Sequence, residues 1–404
     1  MTHAVPHHPS PDFSASPYPS IQWEEAGVAH TARWRAENGT AAPKRVVIAN
    51  DQTTADDAYH LACEGTALLW RGDFQNARQM LQALTRRLER TPRRKSSTAA
   101  KLAKTRDISP SEAFHQHRLA QSQRTRTLSM LLIPLGADYS VPLRRAPDVH
   151  QASLEAYGPE EEGASVVSLR ELLGLIGAHE WRKKGVALPV LGERIHPHYG
   201  VFAPIRSEYV GLVAEAPLPS RDRAFDIGTG TGVLAVLLAQ RGVAHIVATD
   251  LNPRALACAQ ENITRLGLTE QVEIIKADLF PEGRAPLVVC NPPWLPARPS
   301  SALEQAVYDP DSQMLRGFIA GLAEHLTPEG EGWLLLSDLA EHLGLRTRAD
   351  LIAMIDAAGL KIIGSMEVAP HHPRASDETD ALHAARAAEI TTLWRLAVPA
   401  SETI

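Results

Sequence analysis

From about Ala224 to Val398 the sequence alternates short apolar runs with longer amphipathic stretches, which confines this part of the chain to a largely parallel sheet built from strand–helix–strand units. Residues 225–227, 245–249, 272–276, 287–290, 332–337, 360–366 and 391–398 read as strands. Residues 232–241, 253–266, 315–326 and 351–358 read as helices between them. The fold class expected here is α/β and Rossmann-like.

The chain has 404 residues, more than one hydrophobic core usually organises, so at least one further domain is expected. Residues 1–44, with scattered Pro, Ser and His, read as a loosely ordered lead-in, residues 45–194 as an N-terminal recognition domain, and residues 195–404 as the catalytic domain. In the N-terminal part, 46–50 reads as a strand, 55–70 as a helix, and Arg71-Gly72-Asp73 as the turn before a helix that ends near Arg90. Residues 91–107 form a basic linker. Ser109-Pro110-Ser111-Glu112 is a capping-box start for a helix expected to reach about Leu132.

Hydrophobic residues at 44% and charged residues at 22% fit a soluble globular protein. The longest apolar runs, 129–135 and 233–238, fall well below the ~20 residues needed to cross a bilayer. Without a secretory h-region near Met1, a cytoplasmic location is expected. Cys63, Cys258 and Cys290 lack close spacing and read as three buried thiols. His196, His198, His371 and His372 read as solvated or locally bonded imidazoles, so no metal site is expected.

The net charge of −6 hides a polarity along the chain. Between Arg71 and Arg126 there are fourteen Lys/Arg against four Asp/Glu, while residues 301–404 carry seven basic and sixteen acidic side chains. The basic stretch is suited to phosphate backbones.

Asp226-Ile227-Gly228-Thr229-Gly230-Thr231-Gly232 lies between a strand and a helix, where glycines allow close backbone approach to a nucleoside cofactor. The dinucleotide pattern G-x-G-x-x-G fails at Val233, and a carboxylate two residues before the first glycine suits a cationic aminoacyl group better than a pyrophosphate. Asp250, ending the second strand, is placed to accept ribose hydroxyls. Ala277-Asp278-Leu279-Phe280, after the third, offers a carboxylate and an apolar flank to an adenine. The fourth strand delivers Asn291-Pro292-Pro293-Trp294. Two prolines stiffen the backbone there, so the Asn291 side-chain oxygen and the Pro292 carbonyl can hold both hydrogens of a planar amino group, with Trp294 as a stacking face.

With these four motifs the chain resembles the class I S-adenosylmethionine-dependent methyltransferases that carry an N-P-P-[YFW] motif. The resemblance covers roughly residues 195–398 and implies a seven-stranded sheet with one antiparallel strand at its end. It assigns Asp226, Gly228, Thr229, Gly230 and Gly232 to the methionine moiety, Asp250 to the ribose, Asp278 and Leu279 to the adenine, and Asn291, Pro292, Pro293 and Trp294 to the target nitrogen. Upstream, His198-Tyr199-Gly200-Val201-Phe202-Ala203-Pro204 resembles the G-V-F-S-P segment of relatives that methylate ribosomal RNA or release factors, with Ala203 in place of the usual serine. The implied cofactor is S-adenosyl-L-methionine.

The motif alone does not choose between nucleic-acid base amino groups and protein glutamine amides. The basic region and the long N-terminal extension favour ribosomal RNA as partner. A release-factor-type glutamine substrate and a small molecule are the alternatives, and a catalytically dead binding module is a fourth reading. Ribosomal guanine 2-amino methyltransferases carry a degenerate copy of the catalytic fold at their N-terminus, so the N-terminal domain is expected to be α+β or degenerate α/β. Residues 131–139 resemble the end of such a domain.

Overall fold

A computed structural model describes residues 19–90, 108–205, 207–299, 303–370 and 380–399. Six strands, β1 (Ser20–Glu25), β2 (Val28–Arg35), β3 (Arg45–Ala49), β4 (Thr66–Trp70), β5 (Leu131–Leu135) and β6 (Ser165–Ser168), form one mixed sheet in the order β1-β2-β6-β5-β4-β3. β3, β4 and β5 are parallel, whereas β1–β2 and β5–β6 pair antiparallel.

Four expectations from the sequence differ from the structure. The helix expected over 55–70 is the helix Ala55–Cys63, closed at Gly65 (φ 77°), and Thr66–Trp70 is a wholly buried strand. An apolar run of five residues has the same pattern in a buried helix and a buried strand, so periodicity could not separate them. For the same reason the helix capped by Ser109, which accepts from the Glu112 amide as expected, ends at Leu128 and gives way to β5. In the lead-in, residues 20–35 form a hairpin around Ala26 and Gly27, both at positive φ (52° and 79°) as a tight hairpin turn requires. Ala-Gly is a weaker turn signal than Asn-Gly, which is why the hairpin is inconspicuous in the sequence. Cys63 is exposed rather than buried, because it closes the outer end of its helix; Cys258 and Cys290 are buried.

A small hairpin, β7 (Val186–Leu188) and β8 (Glu193–Ile195), leads into the second sheet. Its strands are β9 (Arg223–Ile227), β10 (His245–Asp250), β11 (Val272–Lys276), β12 (Ala285–Cys290), β13 (Leu326–Ser337), β14 (Lys361–Val368) and β15 (Thr391–Ala397), in the order β11-β10-β9-β12-β13-β15-β14. β15 is antiparallel to both neighbours. Alternate residues feed two cores. Ala224, Leu287 and Val289 pack with the helices Glu208–Glu215 and Val233–Gln240, while Phe225, Ile227, Val288 and Cys290 pack with Gln313–His325 and Arg348–Ala357. Burial on both faces explains why these strands read as continuous apolar runs.

The N-terminal sheet lays β3 to β6 side by side in chain order, whereas the C-terminal sheet reverses direction at β9. The N-terminal residues form a mixed α/β sheet that lacks the reversal seen at β9. The two halves are stitched together. Phe114, on the helix Pro110–Leu128, is buried among Leu295, Leu339, Ala340, Leu343 and Leu382, and Arg254 pairs with Glu37 at 2.7 Å. Among the described residues no helix is long and apolar enough to cross a membrane.

Candidate active site

Direction reverses beside β9, and the crevice beyond the carboxyl ends of β9, β10 and β12 is where open α/β sheets bind ligands. Parallel pairing sets Ala248 opposite Asp226 and Thr249 opposite Ile227, so Asp250 lies two residues further toward the crevice than Asp226. Gly228, Gly230 and Gly232 all adopt positive φ (71°, 56° and 81°). At Gly232 a β-carbon would lie 3.3 Å from the Ala259 backbone, so both conformation and space call for glycine.

Asp226 is 1% exposed. Its Oδ2 accepts from the Thr229 hydroxyl at 2.6 Å and the Ala235 amide at 3.1 Å. Burial pushes its pKa up to about 6 against the opposing pull of these bonds, and the neighbouring Asp250 adds to the rise. No cation pairs with it among the described residues. Asp250 accepts from the Gly230 amide at 3.0 Å and the Asn252 amide at 2.9 Å; burial raises its pKa too, and the amides oppose that.

Asp278 is exposed just beyond β11. Leu279 beside it holds φ 67°, a conformation costing a leucine about 1–2 kcal/mol, and its carbonyl accepts from the buried Thr249 hydroxyl at 2.5 Å. Phe280 stacks on His325 with centroids 4.2 Å apart.

After β12, the Trp294 indole N–H donates to Asn291 Oδ1 at 2.9 Å. The bond fixes which way the Asn291 amide faces and leaves its oxygen one further lone pair. Pro292 is buried, and the Trp294 ring packs against the core that contains Phe225 and Ile227. The following segment is held in turn. The Asp309 amide donates to the Leu295 carbonyl at 2.8 Å, and the buried Asp309 carboxylate caps Gln313–His325 through the Met314 and Leu315 amides.

Three supporting residues escaped the motif reading. Asn262, fully buried, donates to the carbonyls of Thr231, His196 and Cys258 and accepts from the His196 amide, so it ties the glycine turn to the segment entering the fold. An asparagine on the buried face of an amphipathic helix was the only signal for it. Thr249 carries no signal beyond its strand. Arg118 comes from the N-terminal half, with its guanidinium 3.9 Å from the Tyr308 ring centroid, 2.6 Å from the Arg298 carbonyl and 3.2 Å from Glu304.

Of the cations between Arg71 and Arg126, Arg71 pairs with Glu25, Arg87 with Asp56, Arg118 with Glu304 and Arg124 with Glu89. The basic linker, 91–107, lies outside the described residues, as do His371 and His372. His196 Nδ1 donates to the Arg182 carbonyl at 2.6 Å, and His198 pairs with Glu261 at 2.8 Å. Among the described residues no cluster of His, Cys, Asp or Glu is placed to hold a metal.

Comparison with known proteins gives these residues relatives. The family model described as ribosomal protein L11 methyltransferase (PrmA) matches residues 213–293. The release factor glutamine methyltransferase of Cereibacter sphaeroides is 36% identical over 170 residues, 38% of this chain and 58% of that one. The tRNA1(Val) (adenine(37)-N6)-methyltransferase of Bacteroides thetaiotaomicron is 31% identical over 148 residues, 34% of this chain and 62% of that one. The chain thus spans less than two thirds of the length of either relative. Among solved structures, a methyltransferase from Pyrococcus furiosus aligns over 56% of this chain and 98% of its own, with a TM-score of 0.37 and 17% identity. By its sequence relatives, the C-terminal part of this chain is similar to class I S-adenosylmethionine-dependent methyltransferases.

Proposed function

We propose that the protein transfers a methyl group from S-adenosylmethionine to a planar nitrogen, and that its acceptor is a base amino group of RNA, ribosomal RNA first. The observation that carries the reaction is the acceptor geometry after β12, where Trp294 holds the Asn291 amide oxygen in one direction beside the proline-stiffened backbone.

The residues present fit the cofactor. Asp226 is a buried carboxylate with no cation partner among the described residues, in reach of a glycine turn whose backbone lacks side chains, which suits an ammonium-bearing ligand. Asp226 would neutralise that ammonium, Asp250 would accept from the ribose, and Asp278 with the Leu279 backbone would meet the adenine. The cofactor supplies an electrophilic methyl on its sulfonium.

Asn291 Oδ1 and the Pro292 carbonyl accept the two hydrogens of the acceptor nitrogen and so aim its lone pair, an effect of orientation rather than of proton abstraction. Trp294 offers a face for the acceptor plane. The departing proton is taken by the Pro292 carbonyl or water, and no general base with a displaced pKa is needed. Asn291→Ala should lower turnover at least 100-fold while S-adenosylhomocysteine affinity stays within about threefold. Loss of both together refutes this division of roles.

RNA is favoured by the six Lys/Arg within residues 91–107 and by the size of the N-terminal extension. A glutamine amide is the competing acceptor, favoured by the release-factor relative. Incubating the enzyme and labelled cofactor with a fractionated lysate that lacks the gene decides between them. RNA should take the label; label confined to protein or to small molecules overturns the RNA assignment.

A further inference from the structure

One face of the helix Leu169–Lys184 faces a cavity of about 590 Å³ between the two halves of the molecule. Arg170, Gly174, Gly177, Ala178 and Trp181 line it at the i, i+4, i+7, i+8, i+11 spacing of a single helix face. The segment from Pro197 to Ala203, together with Ile205, forms the opposite wall, and Thr125, Ser129 and Glu304 line it as well. Glycine inside a helix weakens it relative to alanine, yet a β-carbon at Gly174 or Gly177 would meet nothing within 4 Å. Packing among the described residues therefore does not account for either glycine. Trp181 is 45% exposed, and the Phe202 ring belongs to the facing wall.

Most charges in the cavity are compensated. Glu37 pairs with Arg254, Glu304 with Arg118 and His198 with Glu261. Glu171 accepts from the Tyr157 hydroxyl at 2.9 Å and the Glu37 amide at 3.1 Å, and burial shifts its carboxyl toward the neutral form. Arg170 has no anionic partner among the described residues. Partial burial and the like charge of Arg124 both disfavour its charged state, a cost that an incoming anion removes.

We propose that this cavity holds a short single-stranded stretch of the acceptor RNA, with a phosphate on Arg170 and a base stacked on Trp181 and Phe202. At about 1.5 Å rise per residue, Arg170 and Trp181 stand roughly 16 Å apart along the helix, so the charge and the aromatic face serve different nucleotides of one strand. The small residues between them let the strand lie close to the helix. A neutral peptide would leave Arg170 unpaired, which is why the chemistry favours a phosphodiester. The assignment rests on the RNA reading given above.

The test uses the full-length enzyme, labelled cofactor and ribosomal RNA from a strain lacking the gene. Gly177→Leu fills open space on a helix, so its melting temperature should not fall, yet its KM for RNA should rise at least tenfold with S-adenosylhomocysteine affinity unchanged. Arg170→Ala should make the plot of log Kd for RNA against log salt shallower by about 0.7–0.9, one phosphate contact. Trp181→Ala should weaken RNA binding about tenfold. If wild type methylates RNA while Gly177→Leu and Arg170→Ala keep its KM and salt slope, the cavity assignment falls alone. If wild type labels protein and no RNA, the acceptor reading falls and the cavity assignment with it.

Discussion

Asp226→Asn should make the ligand-free protein more stable at pH 8 and less able to bind cofactor. The wild-type carboxyl is held at about 6 against an ordinary 3.8, a rise of about two units caused first by burial. At 1.36 kcal/mol per unit, ionised Asp226 costs the fold about 3 kcal/mol. The sign follows from linkage. A carboxyl whose pKa is raised on folding leaves the fold unpenalised below about pH 4, and that stability is lost as pH climbs through 6. Asparagine removes the charge and keeps an oxygen for the Thr229 hydroxyl and the Ala235 amide, but it buries an unpaired amide at about 1 kcal/mol. The variant should therefore be about 2 kcal/mol more stable at pH 8, and the difference between the two proteins should change by about 3 kcal/mol between pH 4 and 7. Urea denaturation followed by tryptophan fluorescence across that range measures it. S-adenosylhomocysteine, which carries the same ammonium, should bind the variant about 10- to 100-fold more weakly, and its affinity for wild type should fall as pH drops below about 6. A stability difference that is flat with pH, or a variant less stable at pH 8, refutes the claim that this carboxylate is kept at a folding cost for a cation.

Trp294→Phe keeps an aromatic face and removes the indole donor, so the Asn291 amide loses its fixed direction; kcat should fall about two- to tenfold, with cofactor affinity constant in calorimetry. Arg118→Ala releases the segment after the acceptor motif from Tyr308, Glu304 and the Arg298 carbonyl; kcat should drop about tenfold while circular dichroism and S-adenosylhomocysteine binding stay as in wild type, and Arg118→Lys should restore only part of it because one ammonium cannot satisfy all three contacts. Gly228→Ala would place a β-carbon 2.5 Å from the Met314 methyl, the movable end of a flexible side chain, so the left-handed backbone dominates the cost at about 1–2 kcal/mol; thermal denaturation should show that loss along with weaker S-adenosylhomocysteine binding.

The C-terminal sheet was legible because its central strands are buried on both faces and separated by helices. Val272–Lys276 falls on the expected residues, and the other six strands lie within a few residues of theirs, the largest departure being the early start of β13 at Leu326. The N-terminal sheet was not legible in the same way. β4 is one five-residue apolar run next to a helix, and only its long-range pairing with β3 and β5 makes it a strand. β1 and β2 are half-exposed hairpin strands whose turn lacks the usual residues.

The site divides along the same line. The sequence singles out Asp226, the glycines, Asp250, Asp278 and Asn291 to Trp294 because each sits at a strand end, where a short motif determines what faces the crevice. It does not single out Arg118, Phe114 and Asn262, because each acts on a segment distant in sequence: Glu304 lies 186 residues beyond Arg118, and the Thr231 carbonyl 31 residues before Asn262. Local sequence records which groups a sheet presents, whereas the stiffness of those groups is recorded in pairs that only the folded chain brings together. Asn291 shows both at once. Its identity is plain in the motif, but the direction of its amide depends on the Trp294 indole, and the loop beyond Trp294 depends on a helix from the other half of the molecule. The N-terminal half is thus mechanically tied to the proposed acceptor site.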